Sequence, residues 1–423
     1  QVHGLVVRSE YHEKAEVAAS AVGNKIVREG DLVFNKLKAH LGVFFKSCIP
    51  FQCCNGLSPR HCSIPRAVVT EIGRGVMKRI AVDLAKSVYQ VAESVRSGQV
   101  VQRKRLNREA FRRYIQEQAE PVEWVMEACG TAHYWGRVAQ ALGHSVKLIH
   151  PRYVRPYRRR NKTDRNDCDA MLEASRCKDI HPVPVKTHEQ QQVQQLHGLR
   201  ETWKKSRTQR INLLRGILRE AGIEAPASTA AFIRAAHELV ERPEIAPLSH
   251  QLHIVLAEIN LHEQCMVECE QQLKRWHADD EVVRKLDEVS GIGLLTASAL
   301  KTAVGKPERF TNGRQLSAWL GMTPREFSSG DRRKLGHISR QGNAYVRTLL
   351  IHGSRAALLA AQRCQARTPE KLTQLQRWAV ETAARIGHNK AAVALANKLV
   401  RICWAVWCNE RRFSGDWQSV KPA

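Results

Sequence analysis

A mixed α/β domain followed by a long helical remainder is the fold class this sequence predicts. Three observations carry it. From Met77 onward, β-rich stretches joined by short turns give way to alternating helical and strand periods. Two long stretches with helical spacing follow, and from Val283 the chain becomes short-helical and punctuated by glycine.

The elements can be justified in order. Lys78–Leu84 alternates in polarity and is β-rich; Val88–Val95 and Gln99–Leu106 follow, with Ser97-Gly98 as a turn. Asn107 suits the N-cap of a helix running to Gln118, with Phe111, Tyr114 and Ile115 on one face. A strand at Val122–Ala128, a helix at Tyr134–Leu142 and a strand at Ser145–His150 complete the pattern. Strand-strand-strand-helix-strand-helix-strand is the order of the ribonuclease H-like (RuvC-like) fold, assigned here to residues 77–185. Arg152, Arg155, Arg158, Arg159, Arg160 and Lys162 make a basic connector. Leu196, Leu199, Trp203, Ile211, Leu214, Ile217 and Leu218 then fall at helical spacing, and a second helix is expected over Ile245–Trp276. The pair suggests an antiparallel or intermolecular coiled coil over 186–280, an oligomerisation region. Residues 281–423 form the expected C-terminal domain, mostly α-helical.

Residues 1–76 read differently. Positions 45–66 hold Cys48, Cys53, Cys54 and Cys62 with three prolines and no clear period. The run from Asn24 to Lys36 resembles the specificity subunits of type I restriction-modification systems. We expect residues 1–76 to be a translated leader or gene fusion, with Met77 the functional start; the alternative is a genuine small N-terminal domain. Protein made from Met77 decides between them, because loss of activity would exclude the fusion.

The 423 residues carry 67 lysines and arginines against 41 acids, a formal charge of +26 and a pI of about 9.9. A field of that sign attracts polyanions, nucleic acid above all. The twelve cysteines contain no C-x-x-C pair, and Cys265 and Cys269 lack a matching histidine pair. That spacing argues against zinc and against a disulfide framework, and it suits a reducing cytosol. The apolar stretch Ala391–Trp407 is interrupted by Lys398 and Arg401, so it reads as a buried helix and no membrane partner is expected.

Four acids fall where chemistry is possible. Asp83 ends the first strand and Glu127 the fourth, and those strands are neighbours in a ribonuclease H-like sheet. Asp164 and Asp167 lie three apart at a helix start, on one face and near the positive end of the helix dipole. Carboxylates gathered at one point repel unless cations neutralise them, and hard oxygen donors select Mg²⁺, with Mn²⁺ as substitute. Two such ions polarise a phosphodiester and hold its attacking and leaving oxygens. Singly, each acid also reads as a turn, a solvated strand end or a helix cap.

The last third holds two further motifs. The turn with Gly291 and Gly293 resembles a helix-hairpin-helix, whose backbone N–H groups bind DNA phosphate; it reads equally as a helix C-cap before a new helix. Around Ser328 and Ser329, a glycine-bounded segment carries Arg332, Arg333 and Lys334. A hydroxyl among arginines could attack phosphorus, yet spacing alone fits a plain Ser-Gly turn on a basic surface as well.

Six motifs together carry a resemblance that spans residues 77–423. They are Ala81-Val-Asp-Leu-Ala-Lys86, Met126-Glu-Ala-Cys-Gly-Thr131, Asn161-Lys-Thr-Asp-Arg-Asn-Asp167, Ser290-Gly-Ile-Gly293, Gly321-Met-Thr-Pro324 with Ser329-Gly330, and Ser339-Arg-Gln-Gly-Asn343. The chain resembles insertion-sequence transposases that join a RuvC-like DEDD domain to a C-terminal serine transposase domain. Some members of that family are guided by a structured bridge RNA. The resemblance implies that Asp83, Glu127, Asp164 and Asp167 are the metal-binding acids and Ser329 the nucleophile, with Ser328 the weaker candidate. It implies a covalent phosphoserine–DNA intermediate, and a serine that serves the acids of another protomer in a homo-dimer or homo-tetramer. DNA is the expected substrate and a structured guide RNA an expected partner. Residues 1–76 have no counterpart in the family. A RuvC-like nuclease or junction resolvase using metal-activated water is the alternative enzyme. A non-enzymatic nucleic-acid-binding protein on a decayed catalytic fold is the third reading.

Overall fold

The computed structural model describes residues 77–159, 163–409 and 412–416. The fusion or leader expected over residues 1–76 therefore lies outside the described residues. The chain divides into two compact units, one holding residues 77–128 and 149–182, the other 129–148 and 183 onward.

In the first unit, β1 (Arg79–Leu84), β2 (Val88–Ser94) and β3 (Gln102–Asn107) form an antiparallel meander, and β4 (Glu123–Glu127) pairs parallel with β1. The strand order within this unit is β3-β2-β1-β4, and β5 is Ser145–Ile149. Asn107 caps α1 (Arg108–Gln116) as expected: its Oδ1 accepts from the Ala110 N–H at 2.8 Å. Phe111, Tyr114 and Ile115 are buried on one face, and Phe111 meets Tyr89 and Trp124 edge-on, with ring centroids 5.1 and 5.7 Å apart. The opposite sheet face, carrying Ala81, Ala92 and Val125, packs on Cys168, Ala170 and Met171 of the helix Asp164–Ala174. Between α2 (Ala132–Ala141) and that helix, now α4, runs a short α3 (Pro151–Val154) with a 3₁₀ turn at Arg155–Tyr157. The sequence reading placed only an arginine connector there. Pro151 at the first helical position and the His150 side chain, which accepts from Arg152 N, start that turn.

The second unit is built on α5 (His188–Glu220) and α7 (Ser249–Trp276). Arg200–Glu270, Arg207–Glu263 and Arg210–Glu258 pair at 2.6, 2.9 and 2.7 Å, so partner numbers fall as α5 numbers rise and the helices run antiparallel. α7 begins at Ser249, four residues later than expected, because Pro243 and Pro247 hold the preceding stretch as a 3₁₀ helix. α6 (Thr229–Leu239), unforeseen, packs Phe232 and Ala236 against Leu214 and Leu218.

Five short or long helices then enclose one core: α8 (Glu281–Asp287), α9 (Leu294–Val304), α10 (Gly313–Trp319), α11 (Ala344–Arg367) and α12 (Gln374–Ile386), with α13 (His388–Cys408) through its middle. Among the described residues α13 is the one helix long and apolar enough to cross a membrane. Eight of its residues, from Ala391 to Val406, are buried in this core. The serine segment, read from sequence as a glycine-bounded turn, is the tip of an antiparallel hairpin of β6 (Pro324–Glu326) and β7 (Leu335–Ile338), two strands the sequence did not announce.

A buried relay ties this core to α5. Asp280, paired with Lys301, accepts from His277 Nδ1–H at 3.2 Å. With Nδ1 donating to Asp280, His277 Nε2 accepts the Ser298 hydroxyl at 2.9 Å, which leaves Ser298 to accept from His197 Nε2–H at 3.0 Å. His197 Nδ1 in turn accepts from the Tyr345 hydroxyl at 3.1 Å. Burial, then the nearby charge of Arg200, lowers the His197 pKa to about 4. A histidine kept neutral in the fold and protonated on unfolding contributes fully above its ordinary 6.5 and loses that contribution as pH falls toward 4. The stake is about 3 kcal/mol for a group this buried. Denaturant unfolding measured across pH 7 to 4 is expected to show this loss, and His197→Gln to flatten it. An unchanged slope in the variant contradicts the relay. His133, also lowered to about 4 by burial and by Lys186 and Arg137, supplies the slope that remains.

Candidate active site

β1 and β4 run parallel and in register, Ala81 opposite Val125 and Val82 opposite Met126. Asp83 and Glu127 are the next residues on each strand. Pleat alternation places them two residues beyond Ala81 and Val125, on the face that α4 covers. Two carboxylates thus stand side by side at the C-terminal end of neighbouring strands. Both are half-buried.

α4 runs against the direction of β1. Its start lies by Asp83: the Cys168 thiol donates to Gln90 O at 3.2 Å, and Gln90 is the β2 partner of Asp83. Its end lies by Arg79, whose Nη1 donates to Ser175 Oγ at 3.4 Å, while Arg176 donates to Ser94 Oγ at 2.7 Å. The first turn of α4, with Asp164 and Asp167, therefore sits at the same end as Asp83 and Glu127. Thr163 caps that turn by accepting from Asn166 N at 3.3 Å. Asp164 is exposed, whereas Asp167 is 7% exposed and ion-paired with Arg158 of the connector.

The four predicted acids are thus brought to one edge, yet among the described residues no three His, Cys, Asp or Glu close on a common point. The donors suit a hard divalent ion. They are carboxylate oxygens, and burial pushes the neighbouring Cys168 thiol far up, out of competition as a ligand. Of the connector cations, Arg152, Arg155 and Arg159 are exposed, while Arg160 and Lys162 lie outside the described residues.

Sequence reasoning missed a cleft of about 650 Å³ on the other side of α4, lined by Arg103, Tyr157, Arg159, Arg165, Asn166 and Glu173 among others. Arg103 pairs with Asp169 there at 2.7 Å. The signal was available: Arg103 and Arg105 alternate along β3.

In the second unit Ser329 lies at the tip of the β6–β7 hairpin, bridged to Arg332 by backbone hydrogen bonds of 3.3 Å each way across Gly330 and Asp331. Gly330 has φ +56°. The Ser328 hydroxyl donates to Glu326 Oε1 at 2.7 Å and accepts from Lys334 N at 3.2 Å. Arg332, Arg333 and Lys334 are exposed, and Arg333 approaches Glu326 at 3.6 Å. At the α8–α9 turn Gly291 takes φ +89°, and a Cβ there would meet the Gly353 carbonyl of α11 at 2.9 Å. Packing alone therefore requires that glycine, while Gly293, exposed, starts α9.

Known proteins resemble both ends of the described chain. Residues 80–223 match the DEDD transposase domain of the IS110 type, and residues 283–369 match the transposase IS116/IS110/IS902 family. A probable family 20 transposase of Pseudomonas aeruginosa is 39% identical over 338 residues, covering 79% of this chain and 98% of the relative. The transposase for insertion sequence element IS1111A of Coxiella burnetii is 35% identical over 341 residues, 80% of this chain and 91% of its own. That for element IS1328 of Yersinia enterocolitica is 33% identical over 343 residues, 79% and 98% of the two chains. A RuvC-like DEDD domain of this type suggests dependence on a divalent metal ion. The chain belongs to the IS116/IS110/IS902 family of insertion-sequence transposases, enzymes that cut and rejoin DNA.

Proposed function

We propose that this transposase cuts and rejoins DNA by transesterification, with Ser329 as nucleophile and the acids Asp83, Glu127, Asp164 and Asp167 as holders of Mg²⁺. The observation that carries the reading is the shared edge of β1, β4 and α4. It gathers carboxylate oxygens, the hard donors that a divalent cation takes. The ion supplies charge neutralisation and polarisation at the phosphodiester. In the chain's own part, the Ser329 oxygen forms a bond to phosphorus and the 3′-oxygen leaves, taking up the proton that serine gives away. DNA ends bound through phosphoserine, beside a free 3′-hydroxyl, and bond energy is conserved for rejoining. The exposed guanidiniums of Arg332 and Arg333 and the Lys334 ammonium stand around the hairpin tip to offset the developing charge.

The same reading assigns Arg152, Arg155, Arg158, Arg159, Arg160 and Lys162, and the Gly291/Gly293 turn, to nucleic-acid backbone. The Arg158–Asp167 pair holds the connector's charge to the acid edge. It takes residues 77–185 as the DEDD domain and 281–423 as the serine domain. The helices between serve as a coiled-coil, oligomerisation element, and a structured guide RNA is a partner. Against the water-using resolvase stands the exposed hydroxyl at a glycine turn ringed by cations, an arrangement that hydrolysis does not need.

A denaturing gel of full-length protein with element-end DNA, candidate guide RNA and Mg²⁺ tests this. A covalent protein–DNA band is expected, lost in Ser329→Ala and in Asp83→Ala. Nicked DNA without a band, unaffected by Ser329→Ala, would establish the hydrolytic nuclease.

A further inference from the structure

The motif Ser339-Arg-Gln-Gly-Asn343 follows β7 directly, and the chemistry proposed above leaves it without a role. Its backbone is interlocked with the turn that precedes β6. Ser339 N donates to Thr323 O at 2.8 Å and Arg340 N to Gly321 O at 3.1 Å. Gly321 has φ +72° and Gly342 φ +78°. A Cβ on Gly321 would lie 2.1 Å from Gln341 O, and one on Gly342 2.0 Å from Trp319 O, so the two turns touch backbone to backbone. Arg347 clamps them by donating Nη1 to Leu320 O at 3.0 Å and to Gln341 O at 2.9 Å. The base of the serine hairpin is therefore rigid.

Arg340 sits in this clasp with φ +54°, the one non-glycine residue with positive φ among those described. Its neighbour two positions on is glycine, yet this position keeps a side chain that disfavours the left-handed conformation. A second cost accompanies the strain. Arg340 is exposed, has no carboxylate partner among the described residues, and lies close enough to Arg347 for their charges to repel. Strain held in a clamped backbone together with uncompensated positive charge marks a group kept for a ligand rather than for the fold. Arg325, whose Nη2 donates to Ser339 O at 3.3 Å, adds a further guanidinium on the same hairpin base.

We propose that Arg340 is a DNA phosphate anchor, held by the Gly321–Gly342 clasp at the base of the hairpin whose tip carries Ser329. Ser329 at the tip lies six positions beyond Thr323 at the base (329 − 323), roughly 20 Å at about 3.3 Å per residue. Arg340 thus grips a backbone phosphate a few nucleotides away from the one that the tip reaches, and it fixes how the strand lies along the hairpin. Arg347 acts through the backbone and is a positioning residue, not a ligand of DNA.

The proposal rests on the reading of the hairpin as DNA-facing, but its test does not need the serine to be the nucleophile. Binding of a short labelled DNA duplex to the full chain is measured by anisotropy against salt concentration, alongside thermal melting. Arg340→Gly removes both the charge and the strain. It is expected to melt at or above the temperature of the unaltered protein while binding DNA about tenfold more weakly, with a salt slope smaller by about one phosphate contact. Arg340→Lys, which restores the charge, is expected to recover the slope. Arg340→Asn, which tolerates the same backbone, should match the glycine variant in binding. Unchanged affinity and slope in the glycine and asparagine variants would overturn the proposal. So would a lower melting temperature in Arg340→Gly, which would make the arginine structural. If Ser329→Ala still forms the covalent band in the denaturing gel, the serine chemistry fails while the anchor, read by binding alone, stands.

Discussion

The in-register parallel pairing of β1 with β4 is the constraint from which the rest of the site follows. Parallel strands cannot be joined by a tight turn, so the chain must leave the meander, cross through α1 and return beside β1. Having done so, it places the residue after Val82 next to the residue after Met126. Both are acids. They sit where the covering helix α4 presents the positive end of its dipole, which suits their negative charge. The hard oxygen donors gathered there are those a divalent cation takes.

Much of this was legible because the signals were local. Asn107 before an amphipathic run, the alternation of Arg79–Leu84 and the acids at strand ends depend on chemistry within a few residues, and tertiary packing did not override them. The hairpin around Ser329 was not legible. β6 and β7 are three and four residues long, all but Ile338 are exposed, and neither shows an apolar alternation. α6 escaped for a related reason. Its buried set, Phe232 and Ala236, is too sparse to stand out from the polar residues around it. Prolines shifted the start of α7, a local effect that the sequence displayed and the reading passed over.

What sequence could not show at all is direction. That Asp164 and Asp167 reach the edge of Asp83 rather than its far end depends on α4 running against β1. The contacts of Cys168 with Gln90 and of Ser175 with Arg79 reveal this, and no periodicity does. The same holds for Arg340, whose meaning lies in a backbone angle and in two turns brought together from positions twenty residues apart. The glycines announced that backbone would approach backbone, but their partners became visible only in three dimensions.

The account stands on the acid edge being a metal site, and metal binding measures that directly. Mn²⁺ titrated into the full chain without DNA, followed by thermal melting and by the electron paramagnetic resonance of free Mn²⁺, is the decisive experiment. Saturable uptake that raises the melting temperature, abolished by Asp83→Asn and by Glu127→Gln, is the result predicted. No uptake, or uptake unchanged in both variants, would mean that the carboxylates gathered at the ends of β1 and β4 hold something other than a cation.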